Sequence, residues 1–512
     1  MGCGRGMPGA AGCAGECGGR RLSARENRIG AAVRWIGCAG VSLAASADGA
    51  ERRGPVLVML AAFENKGKIR PPPADKPHSY PSFMKSLYAL ALFPALFAHA
   101  ANDWNRFRGP NGSGVSDASG LPDSVTSETT LWKVELGKGW SSPVVWEDKI
   151  FVTAETGEDS RAVICLDVKS GRELWRHEEK FAPHKKHNFN SFASNTPFAD
   201  AERVYVNWCT GTTIQALALD HSGRELWRNE GIANHIHEHG YGSSPIVVDG
   251  VMIVRSEFDW QRDGKVYTED PEEQKWKSCV AGLDAATGRE VWKLEIPNTL
   301  NTFSTPAVNV RKDGTKEIIC ANTTSGVFAV DPKKGVINWQ YNPGFNQRNV
   351  GSGVLKEGRY FCTFGTGGGV KEFAAIDVTG KEPKPVNFEF SRGLPYVPSP
   401  LVVGNLMYLL GDGGILKAVK FDTGEMLYDE RVNGSAGSSK FFGSPVAADG
   451  KIFCGSQQGD LIVIKQGEKF EQLSASKLDS PISSSPAISD GRLFVRTEKM
   501  LWCIGAKGAP LP

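Results

Sequence analysis

The sequence predicts an all-β protein: an eight-bladed β-propeller of four-stranded antiparallel blades, its ring closed by an N-terminal strand. Three observations predict it. The first is a repeat: a small residue, Ser or Thr, Pro, an apolar pair, a tight turn, an apolar run, then Asp, Gly and Trp. It reads SSPVVWEDKIFV…ICLDVKSGRELW over 141–175, NTPFADAERVYV…LALDHSGRELW over 195–227, SSPIVVDGVMIV…AGLDAATGREVW over 243–292 and STPAVNV…VFAVDPKKGVINW over 304–339. A period of about 40–50 residues is that of one propeller blade. The second is the number of units, anchored at Pro143, Pro197, Pro245, Pro306, Gly353, Pro400, Pro445 and Pro486. The third is a mismatch at the ends. The last unit stops at Met500–Ile504 without a Trp-bearing fourth strand, and Leu131–Leu136 (LWKVEL) supplies one, removing the open sheet edges.

Each unit divides into four strands. In the first, Pro143–Trp146 is the innermost strand A, Lys149–Ala154 strand B, Ala162–Leu166 strand C and Glu173–Arg176 strand D. Asp-Gly at 249–250, 449–450 and 490–491 fits a two-residue A–B hairpin that needs positive φ. Asp167, Asp220, Asp284 and Asp331 open the C–D turn, where a short carboxylate accepts backbone N–H bonds, and Gly171, Gly223, Gly288 and Gly335 complete it. Trp175, Trp227, Trp292 and Trp339 follow in register and are expected to pack on the next blade. In later copies this position degrades to Phe388, Tyr428 and Leu473. The propeller is expected over 131–506, with a lead-in segment over 101–130 and a tail over 507–512.

Residues 1–83 are rich in Gly, Ala and Arg and lack periodicity. At Met84 a charged start, the apolar run Leu87–Phe97 and Ala98-His99-Ala100 follow the plan of a secretory signal peptide over 84–100. Met84 then reads as the true start, 1–83 as a mis-annotated or disordered extension, and the location as periplasmic or extracellular. The apolar run is too short for an ordinary spanning helix, so no transmembrane segment is expected in the mature chain. Beyond Ala100 acidic residues outnumber basic ones, which leaves no electrostatic footprint for nucleic acid. The seven cysteines of that part form no C-x-x-C pair and read as buried thiols.

The repeats resemble the pyrroloquinoline-quinone-type repeat family of propellers. The resemblance covers 131–506 and rests on the A/L-x-D-x-x-[ST]-G-x-x-x-W motif, present as CLDVKSGRELW, GLDAATGREVW and, one residue shorter, ALDHSGRELW. Trp104-Asn105-Arg106-Phe107-Arg108-Gly109-Pro110, followed by Gly112 and Gly114, is similar to the opening segment of secreted bacterial members. The resemblance implies one of two functional kinds. Some members are quinoprotein dehydrogenases that hold the quinone and calcium on the top face. Others bind no cofactor and act as scaffolds, among them the propeller lipoprotein of the outer-membrane β-barrel assembly machinery. The alcohol dehydrogenase type carries an adjacent Cys-Cys pair, and no adjacent cysteines occur here.

Function is expected on the face where the D–A and B–C loops emerge, since these are the long ones. Its candidate ligand-binding residues are His184, His187, Asn188, Asn190, Tyr241, Trp260 and Asn349. His235-x-His237-x-His239 places three imidazoles along one extended segment, a spacing compatible with a divalent metal, or else a polar loop. Gly365–Gly369 is followed by a strand rather than a helix, so it reads as a flexible loop and not a phosphate cradle. The expected function is a non-catalytic scaffold binding a protein, peptide or polysaccharide. A dehydrogenase using pyrroloquinoline quinone and calcium, or a metal-dependent hydrolase, are the alternatives.

Overall fold

Blade 1 shows how one repeat becomes a sheet. Its strands are Val144–Trp146, Lys149–Glu155, Ser160–Asp167 and Glu173–Lys180, paired antiparallel in that order. Strands B and C are buried on both faces because a neighbouring blade covers each side, whereas strand D alternates between half-buried and exposed at the rim. Seven further sheets of four strands follow, over 198–234, 246–296, 307–341, 354–385, 401–431, 446–477 and 487–505. The structure, a computed structural model, describes residues 104–236, 239–262, 264–390 and 393–506. The expected signal peptide and the segments on either side of it, 1–83 and 101–103, lie outside the described residues, as does the tail. Among the described residues no helix is long and apolar enough to cross a membrane.

The predicted closure is present. Thr130–Glu135 pairs with Met500–Gly505 as the fourth strand of blade 8, with Trp132 opposite Cys503 and its ring 6.0 Å from that of Phe494. The A–B turns take the expected form: Asp249, Asp449 and Asp490 have φ of 50°, 53° and 47°, and each is followed by a Gly of positive φ.

The Asp…Gly…Trp motif is a lock between blades. The indole N–H of Trp132 donates to the carbonyl of Val168 in blade 1, Trp175 to His221 in blade 2, Trp227 to Ala285 in blade 3 and Trp292 to Pro332 in blade 4. In each case the acceptor is the residue after the next blade's turn Asp. The ring lies against that turn's glycine so closely that a Cβ on Gly288 would stand 2.3 Å from Trp227. Glycine is required there twice over, by contact and by its φ of 71°. Trp339 breaks the series and donates to buried Glu317 of its own blade. Blade 5 has a fourth strand of two residues, Lys384–Pro385, and Phe388 takes over the packing against Gly424 of blade 6.

The seven cysteines among the described residues are buried thiols outside any disulfide. Burial alone pushes the thiols of Cys362 and Cys454 up, that of Cys454 to about 12.

Candidate functional site

The Ser and Thr residues that precede the anchor prolines form a belt around the channel at the start of the A strands. The amide of Ser142 donates to Thr196 Oγ1, Thr196 to Ser244 Oγ, Thr305 to Ser352 Oγ, Ser352 to Ser399 Oγ, Ser399 to Ser444 Oγ, Ser444 to Ser485 Oγ, and Ser485 back to Ser142 Oγ. The bonds are 2.8 to 3.0 Å long. A strand start next to proline has few amide partners of its own, and in these seven links the amide of one blade finds its acceptor in the next blade's hydroxyl. All eight hydroxyl residues line one cavity of about 590 Å³.

The floor of that cavity is the lead-in segment. The carbonyls of Trp104 and Asn105 accept from the amides of Val145 and Ala199 in the A strands of blades 1 and 2. Asn111 exchanges two bonds with Val308 in blade 4, and Gly114 and Ser116 pair with Ala447 in blade 7. A stretch that reaches A strands on opposite sides of the ring must cross the channel. Phe107 points up into the cavity. Arg106 and Arg108, on either side of it, are buried: Arg106 donates to the carbonyl of Pro306, and Arg108 to those of Gly112, Pro400 and Pro445. Burial pushes both guanidiniums down from their usual range to about 9.

The mouth is framed by Trp140, Phe303, Tyr396 and Phe442. A strap from the loop between blades 1 and 2 lies across it. Phe189 packs edge-on against Phe442 of the loop between blades 6 and 7, with ring centroids 5.3 Å apart. The charged lining groups are Arg348, Lys371 and Asp412, with His187 and His239 beside the strap. Asp412 accepts from Lys371 Nζ at 2.7 Å and from the amides of Tyr396 and Val397 at 2.9 and 3.0 Å.

The described residues among those singled out by sequence divide into three groups. His187, Asn190 and His239 line the cavity. The His187 amide donates to the His239 carbonyl, their rings stand 5.3 Å apart, and Asn190 Nδ2 donates to the carbonyls of His239 and Tyr241, which staples the two loops together. Tyr241, His235 and Asn349 are buried in the walls. Tyr241 bridges Asn207 and the Arg255 carbonyl through its hydroxyl, and burial holds that phenol well above its usual range. His235 meets Ser256 and Asn301 and packs between Tyr241 and Phe258. Asn349 Nδ2 donates to the carbonyls of Gly351 and Thr363. His184, Asn188 and Trp260 are not among the lining residues; His184 packs on Phe192 in a separate small crevice, Asn188 is exposed, and Trp260 opens a side hairpin over 261–266. His237 lies outside the described residues, and among those described no group of three or more His, Cys, Asp or Glu stands close enough to hold a metal ion.

Sequence reasoning did not single out Trp140, Phe303, Tyr396, Phe442, Arg348, Lys371 or Phe107. The Ser-Pro repeat was a usable signal for the belt, since a hydroxyl at every strand A start faces a common axis. The glycine run predicted as a loop is one, and its Thr366, Gly367 and Gly368 overhang the cavity.

A family profile described as outer membrane protein assembly factor BamB matches residues 124–278 and 190–391. No curated protein matches. Among solved structures, BamB from Moraxella catarrhalis superposes with a TM-score of 0.52 at 12% identity, covering 74% of this chain and 98% of its own. A europium-containing methanol dehydrogenase gives 0.56 at 12%, covering 79% and 98%. The quinohemoprotein alcohol dehydrogenase ADHIIG from Pseudomonas putida HK5 gives 0.51 at 14%, covering 80% and 81%. At such identities the likeness speaks for the fold alone, and it extends equally to a protein described as an assembly factor and to dehydrogenases. The repeat profile, spanning more than half of the sequence, makes this chain a member of the BamB-type, pyrroloquinoline-quinone-like repeat family of β-propellers.

Proposed function

We propose that this protein is a non-catalytic binding scaffold, exported through residues 84–100, whose ligand seats in the cavity at the channel mouth. The observation that carries this reading is a dead-end cavity with aromatic and hydroxyl walls and, among the described lining residues, no uncommitted carboxylate. Its volume falls within the ~300–1,000 Å³ typical of small-ligand sites. Proton-transfer chemistry needs a base poised near its acceptor. Asp412 is the single carboxylate among the described lining residues, and Lys371 and two amides already engage it.

The same donor set does not fit calcium with a quinone. Calcium takes about six to eight oxygen ligands, carboxylates prominent among them. Among the described lining residues the cavity offers one committed carboxylate, with two cationic side chains beside it.

A peptide and glycan array probed with the full chain tests this reading. Binding is expected, and Trp140→Ala with Phe303→Ala is expected to abolish it without lowering the melting temperature. Calcium-dependent uptake of pyrroloquinoline quinone with dye-linked alcohol oxidation would overturn the scaffold reading. For export, intact mass of the native protein is expected to place the mature end at Ala101; peptides from 1–83 in that protein contradict it.

A further inference from the structure

Resting on the scaffold reading, we infer that the cavity takes an anionic saccharide: a carbohydrate chain carrying carboxylate or sulfate groups, its ring faces against the aromatic frame and its oxygens on the hydroxyl belt.

The hydrogen inventory leads there. Ser142, Thr196, Ser244, Ser352, Ser399 and Ser485 each accept a neighbour's amide hydrogen, and none of them donates its own hydrogen to a protein acceptor among the described residues. Only Ser444 spends its hydrogen, on Ser399. The belt therefore presents a circle of unspent O–H donors. Each belt oxygen also keeps a lone pair, while acceptors other than hydroxyls are few among the described lining residues. Asp412 receives three bonds, and Asn190 Oδ1 already receives the Ser191 amide and the Ser194 hydroxyl. A ring of hydroxyls that can both donate and accept suits a ligand rich in hydroxyl and other oxygen groups.

Valence separates a saccharide from a peptide. A peptide backbone brings donors and acceptors in fixed alternation, whereas a sugar hydroxyl both donates and accepts and so answers either valence of a belt hydroxyl. Carboxylate, sulfate, ring and glycosidic oxygens only accept. Sugar rings also present flat C–H faces, which match the broad apolar faces of Trp140, Phe303, Tyr396 and the floor residue Phe107.

Charge separates an anionic sugar from a neutral one. Lys371 and Arg348 line one wall, and Asp412, the single carboxylate among the described lining residues, pairs with Lys371. Below the floor, the buried guanidiniums of Arg106 and Arg108 bond backbone carbonyls, so their charge is not cancelled locally. A positive field inside a low-dielectric ring is weakly screened and favours an anion at the belt.

The test is isothermal titration of the full chain with four probes of matched length: an oligouronate, a sulfated oligosaccharide, a neutral oligosaccharide and an acidic peptide. One or both anionic saccharides are expected to bind at least about tenfold more tightly than the neutral one, with affinity falling as salt rises. Which of the two binds distinguishes carboxylate from sulfate. Lys371→Gln is expected to bring anionic affinity down toward the neutral value. Asp412→Asn, which frees Lys371, is expected to tighten binding severalfold, a gain that misfolding cannot mimic. Equal affinity for neutral and anionic chains, or no saccharide binding at all, overturns the inference. Preference for the peptide also overturns it, yet leaves the scaffold reading standing if Trp140→Ala abolishes that binding.

Discussion

Gly288 shows how much one residue of the repeat carries. A methyl group there would stand 2.3 Å from the Trp227 indole, on a backbone with φ of 71°. Gly288→Ala must move a buried indole that is hydrogen-bonded to Ala285, or strain the turn, and is expected to cost about 2 kcal/mol or more in denaturant unfolding. Glycines with nothing near the missing Cβ, such as Gly211, lack the contact half of that penalty. The turn aspartates add a pH dependence. Hydrogen bonds from Ser170, Thr287 and Thr379 hold the carboxyls of Asp167, Asp284 and Asp377 below their usual range. At Asp220 burial pushes upward, but bonds from Ser222 and Arg224 prevail and bring it to about 2. A depressed native pKa means that the unfolded state binds protons first. The stability these groups add is complete above about pH 4 and disappears as pH falls toward 2. The melting temperature is expected to fall over that window, and Asp220→Asn to flatten part of the fall; an unchanged slope in the variant assigns the acid sensitivity elsewhere.

At the scale of elements, the closing strand ties the two ends of the described ring. Thr130–Glu135 completes blade 8, and its Trp132 also docks on blade 1 through Val168. Deleting 130–135 removes both contacts and bares the edge of Met500–Gly505, so the single cooperative melting transition is expected to broaden or split. A deletion variant that melts like the parent would show that the ring closes otherwise. This strand was legible in advance because LWKVEL repeats the ELWRHE and EVWKLE pattern, and pattern is what a repeat exposes. The cavity was far less legible. Its aromatic frame comes from loops of different blades, Trp140 before blade 1, Phe303 before blade 4 and Phe442 before blade 7, at positions with no common spacing. His187 is legible as a polar residue of a long loop and His239 as part of the His-x-His-x-His run. The same run also includes His235, whose ring serves the wall and not the cavity. Loop length is visible in sequence; the direction a side chain takes from a loop is not.

For the whole molecule, the decisive feature is that the lead-in segment makes a dead end of a ring that would otherwise be a channel. It supplies acceptors to the amides of Val145, Ala199, Val308 and Ala447, which sit on four different blades. Arg108 fastens its centre by bonding carbonyls of blades 6 and 7 at once. Truncating Arg108 removes an expensive buried charge, yet it also orphans carbonyls that water reaches poorly, at about 1–3 kcal/mol for each such group. The expected consequence of Arg108→Ala is release of the segment as a unit, because its bonds share one short stretch of chain. Hydrogen exchange should then accelerate at Val145, Ala199, Val308 and Ala447 together, although these residues are far apart in sequence, while the amides of the B and C strands keep their protection. Acceleration confined to Ala447 and its neighbours would show that each contact opens independently, and that the floor is held blade by blade.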